Sequence, residues 1–180
     1  MKKILITVGL VCLSVTVWAA CGVVTDCIDR NSVRHVILKG TASDSEISGT
    51  VNLIEENGGI AVEARVQNVP PGKHGFHIHE NGSCAEMGKA AGGHFNPDKV
   101  EHGFMPQMGS MHAHAGDMGN IEVGKDGTGT LKIFMKGLTL KEGKYAVAGK
   151  SIILHEKEDD FSQPTGNAGG RIGCGVIVAN

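Results

Sequence analysis

Gly75–Glu80 reads GFHIHE, a strand-like run in which His77 and His79 occupy alternate positions. In an extended chain, residues i and i+2 point to the same face, so both imidazoles can meet one ion. Neutral imidazole suits copper and zinc. Downstream come His94 in AGGHFNP, His102 in VEHGF, His114 and Asp117 in HAHAGD, and His155 in ILHEKEDD, each in a Gly-rich or polar setting. That makes seven candidate ligands, too many for one tetrahedral site and enough for two adjacent sites that share a residue.

Outward from this segment the chain reads as short strands and turns. Val33–Lys39, Ile47–Ile54 and Ile60–Gln67 are rich in β-branched residues, and Asn57-Gly58 between the last two is a hairpin signal. Pro70-Pro71-Gly72 then breaks the chain, so Lys73–His79 starts a fresh strand. From Asn81 to Gly119 neither helical nor strand period persists. So long a loop is usually functional or disordered, and its histidines argue for function, with bound metal replacing a missing hydrophobic core. Strand patterning resumes at Asn120–Val123, Thr128–Met135, Tyr145–Ala148, Ser151–Leu154 and Ile172–Val178. The pattern predicts an all-β sandwich or barrel of about eight strands.

Composition agrees. Glycine is abundant at 27 of 180 residues while aromatics are 4%, favouring short strands and turns over a helical bundle, and the glycines lack the period of collagen. Charged residues are 20% and the formal net charge is -2, which gives no footprint for nucleic acid or an acidic polymer.

The N-terminus reads as an export signal over residues 1–20: Lys2 and Lys3, an apolar run from Ile4 to about Val17, then Ala19 and Ala20. The run is shorter than the ~20 residues that cross a bilayer. Residues 21–31 then form a flexible tail and 32–180 a single domain. The mature protein is expected outside the cytoplasm, periplasmic or secreted. Cleavage after Ala19 fits Val17-Trp18-Ala19, while Cys21 after two alanines resembles a bacterial lipoprotein acceptor that would tether the chain to a membrane. Trp18, where such a site usually has leucine, ranks free secretion first. Cys12 falls in the leader, leaving Cys21, Cys27, Cys84 and Cys174 in a compartment that permits disulfides. Cys21 and Cys27 either bridge each other, or Cys21 is lipidated and Cys27 free.

The succession GFHIHENGSC, GGHFNP, HAGDMGN, HEKEDD and GNAGGRIGCGVI resembles the copper/zinc superoxide dismutases, of the exported bacterial type, from about Val33 to the C-terminus. The resemblance implies an eight-stranded Greek-key barrel, immunoglobulin-like in topology, with long metal-binding and electrostatic loops. By motif position it implies one copper per subunit on His77, His79, His94 and His155, and one zinc on His94, His102, His114 and Asp117. His94 would be the shared imidazolate. His112 competes with His114, but the offset of three from His114 to Asp117 matches the family.

The resemblance also implies that Asp159 bridges the far ring nitrogens of His77 and His102, that His74 braces the copper-side backbone, and that Cys84 pairs with Cys174. Cross-linking so long a loop is worth about 4.6 kcal/mol on the chain-entropy model and about 2–4 in practice. Arg171 would attract the substrate anion, with Thr165 narrowing the channel opposite it. His35 has no motif partner and reads as an ordinary strand residue.

Two departures from the family stand out. Asp160–Thr165 reads DFSQPT, shorter than the loop of the intracellular eukaryotic enzymes and without their Glu-Glu and Lys cluster, so long-range guidance either comes from elsewhere, such as Lys89 or Lys99, or is weaker. The segment before His114 carries Met105, Met108 and Met111, with Met118 beyond it. Thioethers suit Cu(I), but loop filling is the expected role.

The implied activity is superoxide dismutation: Cu(II) oxidises one superoxide to dioxygen, then Cu(I) reduces a second to hydrogen peroxide, while zinc is structural. The rival is a non-catalytic copper carrier or buffer on the same fold. A homodimer is mildly preferred over a monomer.

Overall fold

The computed structural model describes residues 33–179. The export signal, the tail and Cys12, Cys21 and Cys27 lie outside the described residues. Eight strands follow in order: β1 Val33–Gly40, β2 Ser48–Glu56, β3 Gly59–Gln67, β4 Gly72–His79, β5 Asp117–Val123, β6 Gly129–Lys136, β7 Ser151–His155 and β8 Arg171–Val176. They close into one barrel in the order β1-β2-β3-β6-β5-β4-β7-β8, with every neighbouring pair antiparallel. β3 therefore pairs with β6, and the β4–β5 hairpin inserts beyond β6, the over-connection of a Greek key. Among the described residues no helix is long and apolar enough to cross a membrane.

Alternation along β4 and β7 decides where chemistry sits. Phe76 and Ile78 on β4, with Ile152 and Leu154 on β7, enter the barrel core beside Leu38 and Leu53. His77, His79 and His155 take the opposite pleat, yet they are buried, because the loops before β5 and before β8 cover that outer face. The pairing of β4 with β5 shifts register between Gly75 and His77, and that of β7 with β8 between Leu154 and His155. Such irregularities re-aim side chains and recur beside active sites. Here each adjoins a candidate ligand.

The structure corrects three expectations. Tyr145–Ala148 is not a strand: it makes a single parallel bridge, Thr139 to Ala146, within a run of turns. Tyr145 instead donates its hydroxyl to Asp98 at 2.7 Å, and Val147 plugs the core. The long loop ends at Asp117, where β5 begins, not at Gly119, and it holds a 3-10 turn, Lys89–Ala91, and a four-residue helix α1, Met105–Met108, opened by a proline. Nor does that segment lack a hydrophobic core. Phe95, Met105, Ala113, Ala115 and Met118 all join the main cluster, so two methionines do fill space, whereas Met108 and Met111 are exposed.

Candidate metal centre

β4 presents His77 and His79, the last position of β7 presents His155, the intervening loop brings in His94, His102 and His114, and Asp117 opens β5. All seven are buried. Their donor atoms fall into two four-residue groups, His77–His79–His94–His155 and His94–His102–His114–Asp117, with the atoms of each group within 4.8 Å of one another. His94 belongs to both. An isolated bridge between His79 and His94 holds the loop against the end of β4.

Hydrogen bonds set the tautomers. Asp159 is buried; burial favours its neutral form, but bonds from His102 and His77 outweigh that and hold its carboxyl below the usual range. As a carboxylate it accepts from His77 Nε2 at 2.8 Å and from His102 Nε2 at 2.9 Å. A ring that gives its Nε2 proton keeps a lone pair on Nδ1. The His77 Nδ1 is buried without a hydrogen-bond partner. His79 repeats the arrangement in reverse: its Nδ1 donates to the Gly92 carbonyl at 2.9 Å, leaving the Nε2 lone pair 3.3 Å from His155 Nε2.

Burial drives the protonation of this group downward. The pKa of His79 is lowered to about 2 by burial and by His94, and that of His155 to about 3 by burial, His77 and His94. His94 falls to about 4, burial outweighing its bond to Asp117. Neutral imidazoles with lone pairs converging in a dry site are expensive without a cation and well matched to one.

The second group is centred on a carboxylate. Asp117 Oδ1 lies 2.7 Å from His94 Nδ1 and 3.3 Å from His114 Nδ1, and its Oδ2 lies 2.7 Å from His102 Nδ1 without hydrogen-bond alignment. Burial alone would raise the Asp117 pKa; its close contacts with His102, His114 and His94 hold it below the ordinary range. Burial would lower that of His102, but contacts with Asp117 and Asp159 lift it to about 9. Three imidazoles and one carboxylate are a tetrahedral zinc donor set, and four imidazoles suit copper. Each group holds a buried imidazole Nδ1 without a hydrogen-bond partner, that of His77 in the first and that of His102 in the second.

Residues 47–177 match the family model for copper/zinc superoxide dismutase. The extracellular Cu-Zn superoxide dismutase of Caenorhabditis elegans is 37% identical over 164 residues, which is 84% of this chain and 72% of that protein. That of Drosophila melanogaster is 38% identical over 157 residues, covering 81% and 83%. The chain belongs to the copper/zinc superoxide dismutase family. A crystal structure described as that of the clock protein EA4 superposes with a TM-score of 0.73 at 31% identity, over 83% of this chain and 95% of that one.

The remaining residues singled out from the sequence divide cleanly. His74 lies 2.9 Å from the His155 carbonyl through Nδ1 and 2.8 Å from the Pro70 carbonyl through Nε2, tying β4 to the end of β7. Cys84 and Cys174 form a disulfide across 90 residues. The Arg171 guanidinium, half-buried beside it, donates to the carbonyls of Gly88 at 2.5 Å, Lys89 at 3.3 Å and Gly92 at 2.6 Å. Gly92 thus accepts from both Arg171 and His79. Thr165 lies exposed on the turn at 163–167, and Lys89 and Lys99 are exposed as well. His112 is exposed and outside both donor groups, while His35 pairs with Asn52 across the first hairpin at 2.8 Å.

Three residues that the sequence did not mark support this candidate centre: Asn120 bonds the Asp159 backbone, Gln163 bonds the His102 backbone, and Phe161 stacks on the His102 ring. Each acts on the backbone or ring of a residue that was foreseen. Gly166, at φ +73, was also missed; a Cβ there would stand 1.8 Å from Asp159 Oδ1 and 2.7 Å from His102 Nε2. Only glycine lets this turn close over the carboxylate.

Proposed function

We propose that this chain dismutates superoxide outside the cytoplasm: two superoxide anions and two protons give one dioxygen and one hydrogen peroxide. His77, His79, His94 and His155 would hold copper, and His94, His102, His114 and Asp117 would hold zinc. When bound, copper supplies a one-electron redox couple and zinc a fixed positive charge. The observation that carries this reading is the membership of His94 in both donor groups. A lone copper-binding role does not need a second set fused to the first.

The residues then have distinct tasks. His94 carries the proton: its Nδ1 is committed to the Asp117 side, so Nε2 takes up a proton in one half of the cycle and gives it up in the other. Asp159 locks the ring orientations of His77 and His102 by accepting their far protons. Arg171 attracts and hydrogen-bonds the small anion, held in place by three loop carbonyls and by the disulfide that fastens the same loop. Thr165 narrows the approach opposite Arg171.

Extracellular relatives and the disulfide support placement outside the cytoplasm. Free secretion after cleavage at Ala19 is preferred to a lipid tether at Cys21, since Trp18 replaces the usual leucine. The mature domain spans 32–180, and the preferred assembly is a homodimer. The deciding experiment is superoxide-dependent turnover of metal-analysed protein. Turnover proportional to copper content supports the enzyme; metal-replete protein without turnover makes it a copper carrier.

A further inference from the structure

His102 sits in an irregular stretch, residues 101–104, so neither a helix nor a ladder satisfies its peptide groups, yet the residue is 3% exposed. Buried backbone donors and acceptors need partners. Gln163 supplies both. The His102 N–H donates to Gln163 Oε1 at 2.9 Å, and Gln163 Nε2 donates to the His102 carbonyl at 2.9 Å. The side-chain amide takes the place of a neighbouring strand's peptide. From the same run, Asp159 accepts from His102 Nε2, and the Phe161 ring stacks on the imidazole at 6.1 Å between centroids and 21° between planes. Backbone, ring face and far nitrogen of one histidine are thus held by three alternate residues, 159, 161 and 163.

We infer that Gln163 is a positioning residue for the zinc site: by gripping the main chain of His102 it fixes where His102 Nδ1 points, and it couples the short loop before β8 to that ligand. This rests on the reading that His102 binds zinc. The stretch that carries it, DFSQPT, is where the sequence departs from the longer loop of the intracellular eukaryotic enzymes. The shortened loop brings an amide to His102 in place of a charged steering cluster.

The two hydrogen bonds can be removed without opening a large gap by Gln163→Met. Gln163→Glu keeps an acceptor for the His102 N–H and loses the donor to its carbonyl, and Ser162→Ala, exposed and with no side-chain bond to the site, is the control. Zinc affinity is measured by competition with a chromogenic chelator. Groups that orient a metal ligand typically contribute about 10 to 100-fold in affinity, so Gln163→Met is expected to weaken zinc by that order, Gln163→Glu by less, and Ser162→Ala not at all. Cobalt(II) placed in the zinc site adds a second readout, since its visible d–d bands report coordination geometry; they shift in Gln163→Met.

A merely structural glutamine would lower the melting temperature of the metal-free protein while leaving zinc affinity and cobalt bands at parental values. That result overturns the inference. Should Gln163→Met fail to fold, parental affinity and bands in Gln163→Glu overturn it equally. His102→Ala separates the underlying reading: if it keeps zinc as tightly as the parent, the zinc assignment itself fails, whereas loss of zinc there alongside an unaffected Gln163→Met sinks only the positioning role.

Discussion

Asn120 grips the backbone of Asp159: its Nδ2 donates to the Asp159 carbonyl at 2.9 Å, and its Oδ1 accepts from the Asp159 N–H at 2.7 Å. Gln163 holds the His102 backbone in the same two-point manner. Asp159 in turn joins His77 to His102 through its two oxygens. The two donor groups are therefore linked twice, through the shared His94 and through a carboxylate whose own main chain is clamped. A carboxylate swinging on a free loop could not hold two imidazole planes at once.

Asn120→Ala removes both bonds and strands a buried N–H. Leaving such a group unsatisfied costs about 1–3 kcal/mol, so chemical denaturation of the metal-free variant should show a loss of that order. Parental stability would mean that water replaces the amide and that the clamp is dispensable.

His155→Ala should abolish copper-dependent turnover while zinc content stays near one per chain, because His155 belongs only to the all-histidine group. Metal analysis beside a turnover assay decides it. Full activity in the purified variant refutes the assignment of His155.

The seven candidate donors were legible in the sequence because His-x-His on a strand and further histidines in Gly-rich settings stand out without knowledge of the fold, while their division into two groups came from the resemblance to the family, and the fold brings the same groups together. The clamps were not legible. Asn120 and Gln163 bind peptide groups, which every residue offers, so nothing in their neighbours' identities marks them. Tyr145–Ala148 was misread for a related reason: alternation of Tyr145 and Val147 with smaller residues mimics a strand, but only a single bridge forms there, and the tyrosine is spent on Asp98. Helix α1 was invisible because four residues are too few to show a period.

Acid should destabilise the metal-free protein well above the carboxylate range. His79, His94 and His155 have folded pKa values lowered to about 2, 4 and 3 from an unfolded value of 6.5. Groups depressed in the folded state contribute stability above their unfolded pKa and lose it as pH falls, so unfolding takes up these three protons as pH drops below about 6.5. His102 works in the other direction: raised to about 9, its contribution is complete below 6.5 and is lost as pH climbs through 9. Denaturation midpoints of metal-free protein should therefore peak near pH 6.5 and fall on both sides, more steeply on the acid side. A flat profile from neutrality to pH ~4.5 would contradict the buried neutral histidines.

Reducing the bond between Cys84 and Cys174 frees a loop closed across 90 residues. The expected loss is about 2–4 kcal/mol. The Arg171 guanidinium is anchored on the loop that Cys84 begins, so activity should also fall in the reduced form at full metal content. Unchanged stability and rate on verified reduction would show that the carbonyl anchors suffice.

Arg171 offers the sharpest electrostatic test, because, after burial and the neighbouring histidines, its charge also contributes to lowering the pKa of both His79 and His155. If it attracts the anion, Arg171→Glu should cut turnover at limiting substrate far more than Arg171→Lys, with both metals retained. Steering raises association by about 10 to 10³-fold and weakens as salt screens it. The parent rate should therefore decline with ionic strength, while the Glu variant, whose repulsion is screened by the same salt, declines less or recovers. Lysine keeps the charge but not the fork that spans the carbonyls of Gly88 and Gly92, so its deficit should include a part that salt does not change. Superimposable salt curves for the parent and the Glu variant would leave the metal centre standing and remove Arg171 from the path of the substrate.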